Sequence, residues 1–159
     1  KQPILLITDE NNQEETVTRL SRVGFDNVIG FLKGSFEAWK SSGKEIDTVH
    51  RISAQEFEKE IENKDVKIVD VRKESEYQAE HVDEAYNKPL AYINEWVTDI
   101  NPSEHFYLHC AGGYRSMMAA SILLARGYRN FTEIAGGFNA IVQTGITKSD
   151  FVCQSKVLK

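Results

Sequence analysis

Short apolar runs alternate with segments of helical period along this whole chain, and that alternation limits the folds open to it. Residues 4–7, 28–31, 66–71, 106–109 and 131–134 read as buried strands. Between them, Val17, Leu20 and Val23 line one face of a helix that Gly24 ends. Further helical patterns cover 36–40, 74–80, 92–100, 116–126 and 138–143. Ser53-Ala54-Gln55-Glu56 is a capping box, with Phe57 and Ile61 following at one-face spacing. Strands that alternate with helices pair in parallel, because the helix supplies the crossover, so the chain is predicted to be α/β with a parallel sheet flanked by helices.

The 159 residues are 41% hydrophobic and 27% charged, which supports a packed core and excludes disorder and a disulfide miniprotein. No apolar run approaches the roughly 18 residues of a membrane span, and no signal-peptide pattern opens the chain. A net charge of −5 without a basic block argues against nucleic acid as a partner. Cys110 and Cys153 make neither a disulfide framework nor a CxxC metal pair, so a cytoplasmic, reducing setting is expected, with no membrane partner. His50, His81, His105 and His109 have no metal-ligand spacing, so no metal or other cofactor is expected in this stretch. Cys153 reads as a tail residue packed against the domain, and the alternating charges around Phe57 as a solvated helix face.

The chain repeats itself. Gly24-Phe25-Asp26-Asn27-Val28 recurs as Gly127-Tyr128-Arg129-Asn130-Phe131, and Leu20 recurs at the same offset as Leu123. One residue of slippage later, Gly34, Phe36, Ala38 and Gly43 recur as Gly136, Phe138, Ala140 and Gly145. The opening residues therefore read as the second half of a unit that residues 50–147 carry whole.

The sharpest chemical signal is His109-Cys110-Ala111-Gly112-Gly113-Tyr114-Arg115-Ser116, between a strand and a helix. Gly112 and Gly113 permit a tight loop whose amides point inward, the helix start near Ser116 adds its positive end, and Arg115 adds a planar cation. That is an anion nest around a sulfur, and it favours the thiolate of Cys110 or a persulfide carried on it. In the first half-unit the matching stretch is Thr8-Asp9-Glu10-Asn11-Asn12-Gln13, without cysteine, glycine or arginine.

The C-x-x-x-x-R loop, with Ile68-Val69-Asp70-Val71-Arg72, Glu76-Tyr77 and Ala135-Gly136-Gly137-Phe138, resembles a rhodanese (sulfurtransferase) domain. The resemblance implies that Cys110 carries a sulfane sulfur as a persulfide and that Arg115 holds the charged end of the donor. It implies that Ala111, Gly112, Gly113, Tyr114 and Ser116 form the binding loop, and that Asp70, Arg72 and His81 support it. Glu80 and Glu84 stand where the family usually has glycine. A small-molecule sulfur donor and a thiol acceptor are the implied partners.

A narrower resemblance, carried by HCAGGYRS, the GFDNVIGFLKGSFEAW segment and Ser149 to Cys153, is to bacterial fusions of a metallo-β-lactamase-fold domain with two rhodanese domains, some of them persulfide dioxygenases. It implies a degenerate, cysteine-less half-domain over 1–45, a complete rhodanese domain over 50–148, a tail over 149–159, and a fused domain, holding the metal, elsewhere in the protein.

Two other classes stay open. One is a non-catalytic module that binds or carries for the fused domain. The other is a cysteine phosphatase, disfavoured because only four residues separate Cys110 from Arg115 and no general acid is placed to protonate a leaving group. The half-unit is expected to expose Val17, Leu20, Val23, Phe36 and Trp39, and to be ordered by packing or, preferably, by homodimerisation.

Overall fold

The computed structural model describes residues 2–62 and 64–153; residues 154–159, the end of the expected tail, lie outside the described residues. The chain divides into two units, Lys1–Asp47 and Thr48–Lys159.

The larger unit is built on a five-stranded sheet. Its strands are β3 (Arg51–Ile52), β4 (Lys67–Asp70), β5 (Tyr86–Asn87), β6 (Phe106–His109) and β7 (Phe131–Ile134). They lie in the order β3-β7-β6-β4-β5, and every neighbouring pair is parallel. In the central strands successive side chains serve opposite faces. Phe106, Leu108 and Val69 pack on one face with Trp96, Val97 and Leu123. Tyr107 and Ile68 pack on the other with Phe57, Phe138 and Ile141. The first cluster is closed by α5 (Ile93–Trp96) and α6 (Tyr114–Ala125), the second by α3 (Ala54–Ile61) and α7 (Gly137–Ile141). Leu108, Phe57 and Leu123 are fully buried, each contributing about 1.5–3 kcal/mol over an exposed position.

Local signals set the element ends. The Ser53–Glu56 capping box forms: the Glu56 amide donates to Ser53 Oγ at 3.2 Å, and Glu56 Oε2 accepts the Ser53 amide at 2.8 Å. The helix expected over 92–100 is instead a 3₁₀ turn at Leu90–Tyr92, the short α5, and a second 3₁₀ turn at Val97–Asp99. Pro89 and Pro102 bracket it, and the residue before a proline avoids helical backbone. The strands β3 and β5, two residues each, extend the sheet beyond the sequence reading.

The smaller unit contains β1 (Ile4–Leu6), α1 (Gln13–Arg22), β2 (Val28–Phe31) and α2 (Ser35–Ser41). Its two strands pair in parallel, Ile4 opposite Val28. Neither helix has a buried residue. Val17, Val23, Phe36 and Trp39 are exposed and Leu20 is half-buried. Leu5, Phe25, Ile29 and Phe31 are exposed as well. Among the described residues, no helix is long and apolar enough to cross a membrane.

Candidate active site

The C-terminal ends of β4 and β6 lie side by side, Asp70 opposite His109, and the 110–113 loop leaves β6 there to enter α6. Gly113 stands at φ 103° at the head of α6, in the left-handed region that glycine enters without strain. Its amide donates to Cys110 Sγ at 3.2 Å. Ser116, one turn into α6, lies with its Oγ 3.4 Å from the same sulfur. Burial pushes the Cys110 thiol up. The Ser116 hydroxyl and the amides of Ser116, Gly113 and Gly112 bond its thiolate and outweigh that, so the thiol lies below its ordinary value.

The loop is held from behind by α7. Phe138 donates its amide to the Cys110 carbonyl at 2.7 Å, and Asn139 donates to that of Ala111 at 2.9 Å. Gly137 makes this approach possible. A Cβ there would press into the Cys110 carbonyl and stand 2.9 Å from that of Ala111, and its φ is 55°.

Asp70 and Arg72 form a buried ion pair, with Nη2 and Nε donating to Oδ2 at 2.7 and 2.8 Å and Nε also reaching Oδ1 at 3.1 Å. The Arg72 guanidinium lies 4.0 Å over the Phe138 ring and donates to the Glu80 carbonyl, so the pair braces α7 and the turn after α4 (Glu74–Ala79). His109 is fully buried; burial, opposed mainly by Asp70, pushes it below the ordinary histidine value, so it is neutral near pH 7. Its Nδ1 faces the Cys110 carbonyl at 3.2 Å.

Of the other residues singled out in the sequence, Arg115 lies beside the loop with both terminal nitrogens on Glu76, Nη1 to Oε2 at 2.6 Å and Nη2 to Oε1 at 2.8 Å. An anion drawn to this edge of the guanidinium would share it with that carboxylate or displace it. The hydrogen bond from Arg115 holds Glu76 below the usual carboxylate range, against its partial burial. Ala111 is half-buried and Gly112 is exposed at the loop surface, while Tyr114 is 80% exposed at the start of α6. His81 is spent elsewhere. It stacks on Tyr77 at 3.8 Å between centroids, its Nδ1 faces the Tyr77 carbonyl at 2.8 Å, and its backbone bonds Ser149. Met118 is exposed on α6, and Cys153, expected to pack against the domain, is exposed as well. Among the described residues, no three His, Cys, Asp or Glu side chains are grouped to hold a metal ion.

Sequence reasoning missed Glu133. Its carboxylate, fully buried on β7, accepts the Ser116 hydroxyl at 2.6 Å and Arg51 Nε at 2.6 Å. The signal was an acid inside an apolar strand, paired in register with an arginine of β3 that the sequence reading left out.

A family model described as the rhodanese-like domain matches residues 53–144. The thiosulfate sulfurtransferase GlpE of Coxiella burnetii is 26% identical over 78 residues, 49% of this chain and 73% of that protein. A rhodanese-like domain protein of Staphylococcus aureus has a crystal structure that matches at 31% identity and a TM-score of 0.56, covering 62% of this chain and 97% of that one. A thiosulfate sulfurtransferase structure from Pseudomonas aeruginosa matches in fold at 20% identity and a TM-score of 0.57, covering 96% of this chain and 33% of its own. The chain spans 52%, 30% and 26% of the length of three other curated relatives.

Proposed function

Because this chain belongs to the rhodanese-like domain family, we propose that it is a sulfurtransferase whose sulfur is carried on Cys110. The observation that carries the reading is the Cys110 sulfur, set at the floor of the loop where the Gly113 amide and the Ser116 hydroxyl converge on it. Donors in that arrangement stabilise a thiolate and a persulfide anion alike. The thiolate attacks the outer sulfur of thiosulfate, or of a low-molecular-weight persulfide. A new S–S bond forms at Cys110, the donor's S–S bond breaks, and sulfite, or the parent thiolate, leaves with the electron pair. An acceptor thiolate or cyanide then attacks the outer sulfur, and Cys110 departs with its pair.

Arg115 supplies positive charge at the mouth of the loop, offset in the resting site by Glu76. Asp70 and Arg72 keep the strand end and α7 in register behind the loop. In the same reading, residues 1–45 are the second half of a cysteine-less rhodanese-like domain. A metallo-β-lactamase-fold partner domain and a cytoplasmic setting rest on the sequence resemblance and composition alone.

The test is mass spectrometry of the intact protein after incubation with thiosulfate or glutathione persulfide. The wild-type chain should gain one sulfur atom, released by cyanide, and Cys110→Ser should gain none. Equal loading of the two proteins would overturn the assignment. Arg115→Ala should weaken thiosulfate use about tenfold, the value of about 1.5 kcal/mol for a charge-assisted contact.

A further inference from the structure

Glu133 is a carboxylate sealed in the core beside the reactive sulfur, and nothing in sulfur transfer as described so far uses it. Ser116 Oγ lies 2.6 Å from its Oε1, 3.4 Å from Cys110 Sγ and 3.0 Å from the Gly113 carbonyl. A hydroxyl has one proton to donate. The shortest of the three contacts has the length of an O–H bonded to a carboxylate, so that proton goes to Glu133. The lone pairs of Oγ are then left for the S–H of Cys110. Sulfur, hydroxyl and carboxylate form a continuous donor chain.

We propose that Glu133 is the proton acceptor for the Cys110 thiol, reached through the Ser116 hydroxyl, an assignment that rests on Cys110 being the sulfur carrier. As the thiol ionises, the S–H bond breaks and a new O–H forms on Ser116. The former Ser116 proton passes to Glu133 Oε1. The products are a thiolate and a carboxylic acid, with no net change of charge and no redox partner. Ser116 now donates to the thiolate, joining the Gly113 amide. When Cys110 departs from the persulfide, the two protons return by the same path. Glu133 acts through Ser116 and is a positioning residue for the proton.

The charged and titratable groups around this chain are few. Arg51 from β3 bonds Glu133 Oε2, and its side chain reaches solvent. His109 from β6, neutral, and the Asp70–Arg72 pair from β4 lie on the strand side. Arg115 from α6 and Glu76 from α4 lie on the loop side as a closed pair.

The geometry makes a prediction opposite to simple electrostatics. If Glu133 were only a nearby negative charge, its removal would favour the thiolate; if Arg51 were only a nearby positive charge, its removal would disfavour it. The experiment is the pH dependence of iodoacetamide alkylation of Cys110, in a Cys153→Ser background, for folded protein with a wild-type melting profile. In the wild type the rate should level off between about pH 7 and pH 5, because the thiol–carboxylate and thiolate–carboxylic acid forms hold the same number of protons and their ratio does not change with pH. Glu133→Gln and Ser116→Ala should lose the plateau and fall about tenfold per pH unit, to about a hundredfold below wild type at pH 5. Arg51→Gln, read on protein that keeps the wild-type melting profile, should raise the plateau severalfold, since a carboxylate freed of a guanidinium takes up a proton more readily.

A wild-type profile that falls with unit slope like Glu133→Gln, or an Arg51→Gln protein with a lowered plateau, would overturn the relay. Thiosulfate loading of the same wild-type sample separates the two claims. A plateau without loading leaves the relay standing and removes the sulfurtransferase reading, and loading without a plateau does the reverse.

Discussion

Two regions of this molecule run the same course. In one, β1 and β2 pair in parallel, α1 ends on Gly24, and Gly34 heads α2. In the other, β6 and β7 pair in parallel, α6 ends on Gly127, and Gly136 heads α7. Both helix-ending glycines have φ near 87°, at 88° and 85°, and Phe25 and Tyr128 bond back to Leu20 and Leu123 at 3.0 Å in each case. Gly34 and Gly136 share φ 77°, and a Cβ on either would meet the Cβ of Ala38 or Ala140 at 2.9 and 2.8 Å. The backbones agree to this detail, yet β6 and β7 are wholly buried while β1 and β2 alternate between half-buried and exposed, apart from Leu6. The same backbone course is thus compatible with a fully buried pair of strands and with a largely exposed one. What separates the regions is the nest after β6 and the layer of β3, β4, α3 and α5 that buries it.

The largest test of that difference is chemical. Cys110→Ser should abolish persulfide loading while the melting temperature stays near wild type, and a cysteine introduced at Thr8 in the same chain should not restore it. Thiol placement alone would then be insufficient, and loading at position 8 would break the comparison. Next in size is the packing behind the loop. Gly137→Ala should destabilise the larger unit by on the order of 2–4 kcal/mol, because both its φ and its contact with the Cys110 carbonyl forbid a side chain. Gly34→Ala carries the same local clash as Gly136→Ala, but calorimetry should show little effect on the transition of the larger unit.

A smaller effect follows from the Arg115–Glu76 pair. Arg115 depresses the Glu76 carboxyl, so its stabilisation is full above the unfolded value of about 4.3 and is lost as pH falls through the lower folded value. Glu76→Gln should therefore be less stable than wild type at pH 7 and equal to it near the acid end. It should also use thiosulfate better at neutral pH, since the Arg115 fork is released. The smallest effect on activity is expected from deleting residues 1–47. Loading of Cys110 should change less than about twofold. Sedimentation should show that concentration-dependent self-association, expected from the exposed Leu5, Phe25, Ile29 and Phe31, is gone.

The central strands were readable because residues 106–109 and 131–134 are short apolar runs closed by turn residues. The loop was readable because glycines and an arginine follow a cysteine between a strand and a helix. The edge strands β3 and β5 were not, since two residues such as Tyr86-Asn87 carry no period at all. Glu133 was hidden for a related reason. In Thr132-Glu133-Ile134 it looks like the polar position of an alternating strand, and only the sheet order brings Arg51 and Ser116 to it. Glu76 lies 39 residues from Arg115, a separation across which sequence pattern gives no pairing. The role expected of His81 beside the loop is another case, because the stacking of Tyr77 and the return of the chain at Ser149 decide where its ring goes.

The two bonds from α7 to the carbonyls of Cys110 and Ala111 settle more than the position of the loop. In a trans peptide the N–H points away from the C=O. With both carbonyls engaged on one side, the amides of Ala111 and Gly112 have only the other side to face. The dipoles of the nest are therefore turned before any charge arrives, and in the proposed cycle the thiol, thiolate and sulfur-loaded forms share one backbone. Exchange between them needs no reorganisation of the peptide planes, and the free energy of carrying a negative sulfur is set when the chain folds.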